Sequence, residues 1–241
     1  MRLLAVIPAR MASTRFPGKP LVDLVGKPMV QWVYEAAVRS AVSERVVVAT
    51  PDPEIVEAVE RFGGEAVLTR PDHPSGTDRL AEVAEQLLFD GYVNIQGDEP
   101  LIRPSAIRAV AEGLMSGGDV CSGFCACPGE EEHNPAVVKV VVSLEGHALY
   151  FSRHPIPFAR NPRQTPLWKH VGLYAYSRES LLNFPKWGPS PLELTEGLEQ
   201  LRFLEHGRSV RMVEVEASET AIDTPEQAEA VRRFLEVTNG P

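Results

Sequence analysis

The stretch LLAVIPARMASTRFPGKP, residues 3–20, begins with the pattern of a strand and ends with the pattern of a loop. Leu3 to Ile7 form an unbroken apolar run that stops at Pro8. A short apolar run with such a stop is typical of a strand buried on both faces of a parallel sheet. The residues after Pro8 are polar, basic and rich in proline and glycine, so they predict a loop directly after the strand.

The loop after this strand carries groups that can bind a polyanion. They are three cations (Arg10, Arg15 and Lys19), two hydroxyls (Ser13 and Thr14) and small residues that leave backbone N–H groups accessible (Ala9, Ala12 and Gly18). Fixed donors of these types neutralise the charge of a triphosphate. A solvated basic loop is the alternative interpretation, since surface loops are often charged.

The spacing excludes two familiar nucleotide-binding loops. A Walker A loop needs glycine at position 13 and a hydroxyl residue after Lys19, where this chain has Ser13 and Pro20. The Gly-x-Gly-x-x-Gly fingerprint of dinucleotide-binding folds does not follow the strand either. The segment instead resembles the signature loop of sugar nucleotidyltransferases, in which an early arginine and a later lysine contact the phosphates of a nucleoside triphosphate.

Composition limits the ligand and the location. The chain of 241 residues has a formal net charge of −9, which argues against broad binding to nucleic acid or anionic membranes. No stretch approaches the roughly 20 apolar residues of a membrane-spanning helix. The short apolar run before Pro8 and Arg10 is a poor signal peptide. We therefore expect a small anionic ligand and a cytoplasmic protein without nucleic-acid or membrane partners.

Three cysteines, Cys121, Cys125 and Cys127, lie close together in the sequence. A structural zinc site needs four ligands, and only His133 stands nearby as a fourth. An odd number of cysteines also argues against a disulfide framework. We assign no metal here and expect the three cysteines on one face of a buried strand.

Strand and helix patterns alternate through the first half of the chain. The predicted strands are 3–7, 45–50, 65–68 and 92–96, and the predicted helices are 29–40, 53–62 and 79–89. Such alternation is typical of parallel strands joined by crossover helices. The second half predicts strands at 139–142 and 171–176 between proline-rich loops, and helices at 192–206 and 225–237. The pattern predicts an α/β fold with a mostly parallel sheet.

The polar clusters follow the strands, so they are expected to meet at the carboxyl edge of the sheet. Asp98 follows the fourth strand, and Asp223 precedes the last helix. Carboxylates at that edge suit Mg²⁺, which is commonly held by one or two of them together with substrate phosphates. Each aspartate also has an alternative structural role. Asp98 could be a turn or cap residue, and Asp223 could belong to an ordinary helix start in which Thr224 is the N-cap.

A further cluster, Ser75-Gly76-Thr77-Asp78-Arg79, combines a permissive glycine with hydroxyl and guanidinium donors suited to a ribose or a pyrimidine edge. The same residues are also consistent with a plain helix N-terminus capped by Thr77 or Asp78. In the second half, Arg153 is a candidate for a carboxylate. His170 is a candidate for sugar hydroxyls, with a structural role as its alternative.

Together these segments resemble the 3-deoxy-manno-octulosonate (Kdo) cytidylyltransferase family over nearly the whole chain. The resemblance is carried by residues 7–10, 19–21, 75–77, 94–100, 134–135, 150–153, 170–174, 191–193, 199–202 and 223–226. It implies a three-layer, Rossmann-like nucleotidyltransferase fold with a mixed sheet. It also implies a single domain over residues 1–241, with a CTP-binding half over residues 1–116 and a smaller half over residues 117–241 for sugar-acid binding and dimerisation.

The resemblance also implies the reaction CTP + Kdo → CMP-Kdo + pyrophosphate, used in lipopolysaccharide synthesis, with Mg²⁺ as cofactor and a homodimer as the assembly. The implied catalytic residues are Arg10, Lys19 and Asp98, and the implied metal ligands are Asp98 and Asp223. The implied nucleotide contacts are Ala9, Arg10, Ser13, Thr14, Arg15, Lys19, Ser75, Gly76, Thr77, Arg79, Gln96 and Gly97. The implied Kdo contacts are Arg153, His170, Tyr174, Glu196 and Gln200, the last two on one face of a helix.

The chain departs from the family in two places. Residues 160–167 form a shorter stretch than in many members, which leaves sugar contacts near Arg160 or Arg163 open, and the clustered cysteines are unusual. Two other functions stay open: a cytidylyltransferase for another acidic sugar, such as a sialic acid or an 8-amino Kdo analogue, and a non-catalytic nucleotide-binding regulator. The presence of Lys19, Asp98 and Asp223 together favours catalysis over the regulator.

Overall fold

The computed structural model describes residues 1–13, 15–216 and 221–238. The strands are β1 (Leu3–Pro8), β2 (Asp23–Leu24), β3 (Lys27–Pro28), β4 (Arg45–Thr50), β5 (Ala66–Leu68), β6 (Gly91–Asn94), β7 (Val120–Ala126), β8 (Lys139–Val142), β9 (Ala148–Ser152), β10 (Trp168–Ser177) and β11 (Val210–Glu214). The helices are α1 (Met29–Ser40), α2 (Pro53–Arg61), α3 (Gly76–Gln86), α4 (Pro104–Met115), α5 (Arg178–Trp187), α6 (Pro191–Glu196), α7 (Gln200–Glu205) and α8 (Pro225–Thr238).

Within the described residues, nine strands form one mixed sheet, and β2 and β3 pair separately. Along the central path the order is β11-β7-β10-β6-β1-β4-β5. Four of the six neighbouring pairs on this path are parallel, the exceptions being β10 with β6 and β10 with β7. The predicted α/β fold with a mostly parallel mixed sheet is confirmed.

Strand β1 shows why both faces of the sheet are covered. Successive side chains of a strand point to opposite faces. Leu3, Ala5 and Ile7 pack in an apolar cluster with residues of α1 and α4. Leu4 and Val6 pack in a second cluster with residues of α3, α5 and α7. The unbroken apolar run at the start of the chain thus reflects helices on both sides, which is the predicted three-layer arrangement.

The position of β1 also determines where the loops gather. It lies between β6 and β4 and runs parallel to both. Because parallel strands end at the same edge of a sheet, the loops after β1, β4 and β6 open side by side. Main-chain hydrogen bonds extend this pairing past the strand ends, from Ala9 N to Ala49 O at 3.0 Å and from Ile95 N to Val6 O at 3.0 Å.

The single helix predicted over residues 192–206 is wrong. The segment forms two helices, α6 and α7, and α6 ends at Gly197, whose φ is +64°. Glycine adopts this left-handed conformation without the steric cost that a Cβ imposes, so it terminates the helix. Glu196 and Gln200 therefore lie on different helices and do not share a face at i, i+4 spacing.

Two other boundaries differ from the sequence prediction. Helix α3 begins at Gly76, not at Arg79, because Ser75 is its N-cap: the Ser75 hydroxyl accepts a hydrogen bond from Asp78 N. Neither Thr77 nor Asp78 is the cap. Strand β6 ends at Asn94, so Asp98 lies within the loop that follows the strand.

A close approach of two loops at the carboxyl edge requires Gly97. A Cβ at this position would lie 2.6 Å from the Pro8 carbonyl oxygen, well inside van der Waals contact. The loop after β6 therefore reaches the end of β1 only because residue 97 has no side chain.

We expect Gly97→Ala to lower the free energy of unfolding by about 1–3 kcal/mol, the usual range for overpacking a tight site. Urea denaturation measures this change. The matched control is Gly129→Ala, where a Cβ would meet no atom within 4 Å. An equal loss in both variants would contradict the steric explanation.

Candidate functional site

A cavity of about 770 Å³ opens at the carboxyl edge of the sheet. The loop after β1, the segment that leads into α3 and the loop after β6 supply most of its walls. The lining residues are Pro8, Ala9, Arg10, Ala12, Ser13, Arg15, Pro17, Lys19, Pro20, Met29, His73, Ser75, Gly76, Arg79, Gln96, Gly97, Asp98 and Asp223. Twelve of the predicted site residues are in this set.

Lys19 is the central charged group of the cavity. Its Nζ donates to Asp98 Oδ2 at 2.7 Å, to Asp223 Oδ1 at 3.0 Å and to the Ile222 carbonyl oxygen at 3.0 Å. Burial opposes the charge on Lys19, but the two carboxylates outweigh burial and raise its pKa. The ammonium group is therefore charged at neutral pH and held between two anions.

Hydrogen bonds within the loop after β1 fix its path. Asp52, after β4, accepts from Met11 N at 2.7 Å, and Met11 O accepts from Gly18 N at 2.9 Å. Ser13 Oγ accepts from Phe16 N at 3.3 Å, so this predicted phosphate contact also stabilises a turn of the loop. Thr14, the other predicted hydroxyl, lies outside the described residues.

A backbone contact brings Asp223 next to Asp98, which is 125 positions away in the sequence. Ile222 N donates to the Asp98 carbonyl oxygen at 2.8 Å. The Asp223 carboxylate then lies between two cations, Lys19 and Arg15, with Arg15 at 3.0 Å from Asp223 Oδ2. Thr224 accepts from Gln227 N at 3.4 Å, so the capping interpretation of this segment and the site interpretation are compatible.

The wall formed by the start of α3 combines exposed and buried groups. Ser75 and Gly76 line the cavity. Thr77, predicted to contact the nucleotide, is 4% exposed and donates to Glu199 Oε2 at 2.8 Å, so its side chain faces the interior instead of the cavity. Arg79 lines the cavity but also donates to the Arg70 carbonyl oxygen at 3.0 Å.

Sequence reasoning did not single out His73, which also lines the cavity. Its ring is buried, and Nε2 pairs with the Glu82 carboxylate from α3. The Glu82 carboxylate also accepts from Arg70 N at 3.0 Å. Burial alone would raise the pKa of Glu82, but these hydrogen bonds lower it. No spacing in the sequence distinguishes this histidine from an ordinary loop residue.

The predicted Kdo residues do not line this cavity but lie in the second half of the chain. Arg153 and Glu196 are directly joined: Arg153 N donates to Glu196 Oε2 at 2.9 Å and Arg153 Nε to Glu196 O at 2.8 Å. Gln200, at the start of α7, is buried. Arg163, whose contacts the sequence left open, donates to Glu132 Oε2 at 2.9 Å.

His170 and Tyr174 form an aromatic group on β10. The His170 ring packs against Phe151 and Tyr174, with centroids 5.1 Å and 5.2 Å apart, and its Nε2 lies 2.8 Å from Ser122 Oγ. Burial lowers the pKa of His170 to about 3 and raises that of Tyr174 well above its usual value. Both groups are therefore neutral at physiological pH and suited to hydrogen bonding.

Two contacts connect the cavity with this second group. A Cβ built on Gly172 of β10 would lie 3.7 Å from the Gln96 side chain and 3.6 Å from that of Glu99. Thr77 bonds Glu199, which immediately precedes α7. The cavity and the predicted sugar-acid residues therefore share a boundary at Gln96 and at the start of α3.

The expectation that all three cysteines lie on one buried strand is wrong for Cys127. Cys121 and Cys125 are buried in β7, whereas Cys127 lies just beyond the end of the strand. Burial raises the pKa of the Cys121 thiol to about 12, which makes it unreactive at neutral pH.

The two carboxylates that bind Lys19 fit magnesium only if phosphate oxygens or water supply its other ligands. Asp98 Oδ2 and Asp223 Oδ1 converge on one point, and carboxylate oxygens are the donors that Mg²⁺ prefers. Within residues 1–13, 15–216 and 221–238, no group of three or more His, Cys, Asp or Glu could hold a metal ion. Two carboxylates suit an ion whose other ligands are phosphate oxygens and water.

Comparison with known proteins supports a nucleotidyl-transfer site. The family model described as "Cytidylyltransferase" matches residues 4–213. The 3-deoxy-manno-octulosonate cytidylyltransferase of Pseudomonas fluorescens is 52% identical over 247 residues, which cover 96% of this chain and 97% of that protein. The enzyme of the same name from Escherichia coli is 46% identical, with coverage of 97% and 96%.

Two solved structures resemble this chain, one in sequence and fold and the other in fold alone. A CMP:2-keto-3-deoxy-manno-octonic acid synthetase complexed with CTP superposes with a TM-score of 0.96 at 45% identity, covering 99% of this chain and 100% of that chain. The 4-diphosphocytidyl-2C-methyl-D-erythritol synthase of Anaerococcus prevotii shares the fold, with a TM-score of 0.69 at 11% identity, over 98% and 99% of the two chains. In the part of this chain that the structure describes, no helix is long and apolar enough to span a membrane.

Proposed function

This chain belongs to the 3-deoxy-manno-octulosonate cytidylyltransferase family, and we propose that it transfers CMP from CTP to Kdo and releases pyrophosphate. The observation that carries the proposal is Lys19, held between Asp98 and Asp223 in a cavity lined by Arg10 and Arg15. Nucleotidyl transfer needs cations for the triphosphate and carboxylates for a metal at one place, and this cavity has both. We place the reaction in the cytoplasm, where it serves lipopolysaccharide synthesis.

We propose Asp98 and Asp223 as the residues that hold Mg²⁺. When bound there, the ion would add positive charge beside the triphosphate and polarise its α-phosphate. Their oxygens converge on the position of the Lys19 ammonium, which supports this assignment.

The protein's own cations act on the rest of the triphosphate. In the proposed reaction the 2-hydroxyl oxygen of Kdo bonds to the α-phosphorus and gives up its proton to solvent or to the leaving group. The bond from that phosphorus to the oxygen that bridges it to the β-phosphate breaks, and pyrophosphate leaves with the electron pair of that bond. Lys19 and Arg10, with Arg15 assisting, stabilise that departing charge. Because the loop after β1 is held by Asp52 and by its own hydrogen bonds, these cations are positioned before the substrate arrives.

The segment that leads into α3 and the loop after β6 suit the nucleoside. Ser75, Gly76, Gln96 and Gly97 line this part of the cavity, and amide and backbone groups of this kind suit a pyrimidine edge and a ribose. We assign them to the cytidine, with Arg79 nearby. Thr77 acts on the nucleoside site indirectly, because its hydrogen bond to Glu199 holds the first turn of α3 in place.

Arg153 is suited to the carboxylate of Kdo. Three of its five N–H groups donate to carbonyl oxygens: Nε to Glu196, Nη1 to Pro135 at 2.9 Å and Nη2 to Gly197 at 3.2 Å. These bonds hold the guanidinium in one orientation and leave each terminal nitrogen one further hydrogen. His170 and Tyr174, both neutral, are assigned to the sugar hydroxyls with Glu196 and Gln200 at the helix ends.

We also propose that two copies of the chain pair through the second half, the assembly that the family resemblance implies. Leu144, Leu149 and Phe158 in this half are 103%, 61% and 88% exposed, so this half offers apolar side chains that a partner chain can cover. Sedimentation equilibrium of the purified protein should give twice the mass of the chain. A monomer over the whole concentration range would refute the dimer.

The activity is tested by pyrophosphate release with Mg²⁺, offering each of CTP, UTP, ATP and GTP with Kdo, and CTP with a sialic acid or 8-amino Kdo. We expect release with CTP and Kdo and little with the other pairs. Release with a different acid and not with Kdo would show that the other acid is the acceptor. Absence of release with every pair would contradict the proposed function.

The variant Asp98→Asn tests whether this cavity is the active site. This change keeps the size of the side chain and removes its charge, so we expect kcat to fall by about 10²-fold or more with the circular dichroism spectrum unchanged. Near-normal kcat would contradict the role of Asp98. The variant Asp72→Asn changes an exposed carboxylate that does not line the cavity and should leave kcat unchanged.

A further inference from the structure

We propose that Lys19 and the metal ion compete for the same carboxylate oxygens, so that metal and nucleotide bind as a coupled pair. In this arrangement the triphosphate draws the Lys19 ammonium away from Asp98 and Asp223 and makes their oxygens available to the metal. The inference rests on the proposed function and specifies how the site assembles.

Lys19 uses all three of its N–H donors at this point. An ammonium group has three N–H donors, and the acceptors at 2.7–3.0 Å, Asp98 Oδ2, Asp223 Oδ1 and Ile222 O, match that number. Magnesium binds oxygen at about 2.0–2.1 Å. An ion bound to the same two carboxylate oxygens would therefore lie closer to them than Lys19 Nζ does and would compete with it for their negative charge.

Burial makes this competition significant. The Lys19 side chain is 14% exposed, and those of Asp98 and Asp223 are 29% and 31% exposed. Charges in such partly enclosed positions interact more strongly than a surface pair, because water screens them less. A metal ion on its own must break this pairing and leave the ammonium without an anionic partner.

The triphosphate changes the balance because it offers Lys19 a new anion. Once Lys19 Nζ binds phosphate oxygens, the two carboxylates lose their internal cation and gain affinity for the metal. Thermodynamic reciprocity then requires the metal to strengthen nucleotide binding by the same factor. Arg15, which contacts Asp223 Oδ2 from a position 67% exposed, adds a weaker contribution of the same kind.

The test measures binding of Mn²⁺ alone to nucleotide-free protein, with electron paramagnetic resonance reporting the free ion. We expect Lys19→Met to bind Mn²⁺ at least about tenfold more tightly than the unaltered protein, within the usual range of coupling between sites. The charge-matched control is Arg10→Met, which removes a cation from the same cavity; the described ion pairs of Asp98 and Asp223 do not involve Arg10.

The two variants separate direct competition from general electrostatics. A much larger gain in Lys19→Met than in Arg10→Met supports competition, whereas equal gains, or no gain in Lys19→Met, overturn it. Circular dichroism establishes that each variant is folded. If Lys19→Met does not fold, Lys19→Gln takes its place, with the same expected gain.

A second measurement uses the unaltered protein and distinguishes the inference from the proposed function. Calorimetry should show CTP binding at least about tenfold more tightly with Mg²⁺ than with a chelator, while Mg²⁺ alone leaves the melting temperature unchanged. Absence of CTP binding under both conditions would count against the proposed function. Binding of CTP that is equal with and without Mg²⁺ would overturn the inference alone.

Discussion

The contact of Lys19 with Asp98 and Asp223 is the interaction on which the site depends. It joins a loop near the N-terminus, a loop from the middle of the sheet and the segment before the last helix. Three segments far apart in sequence are thereby held around one ammonium group. Because the contact is partly enclosed, it is strong enough to organise the cavity and polar enough to exchange partners when a phosphate arrives.

The sheet makes that contact possible. With β1 between β4 and β6, the loops after all three strands emerge together, and Gly97 lets the loop after β6 approach Pro8 closely enough to place Asp98 beside Lys19. The backbone bond from Ile222 to Asp98 then adds Asp223 from the C-terminal side. Function follows from topology here, since the cations and carboxylates lie on loops whose relative positions the strands determine.

Much of this could be predicted from the sequence, because the signals are local. The apolar run of β1 indicated a strand buried on both faces, and the cations after it indicated an anion site. What failed depends on tertiary context. The break at Gly197 separates Glu196 from Gln200, and a single glycine within a helical pattern does not reveal its φ angle. Thr77 faces Glu199, which lies 122 positions away, and no local pattern indicates that contact. His73 pairs with Glu82 only because the chain turns into α3 between them, and the sequence does not show the geometry of that turn.

The most direct test is a crystal structure of the protein with CTP and Mn²⁺, in which the anomalous signal of manganese locates the ion. We expect manganese bound by both Asp98 and Asp223, with Lys19 Nζ within hydrogen-bonding distance of a triphosphate oxygen and no longer bonded to Asp98. Manganese away from these carboxylates, or Lys19 still bonded to both of them with CTP in place, would contradict it.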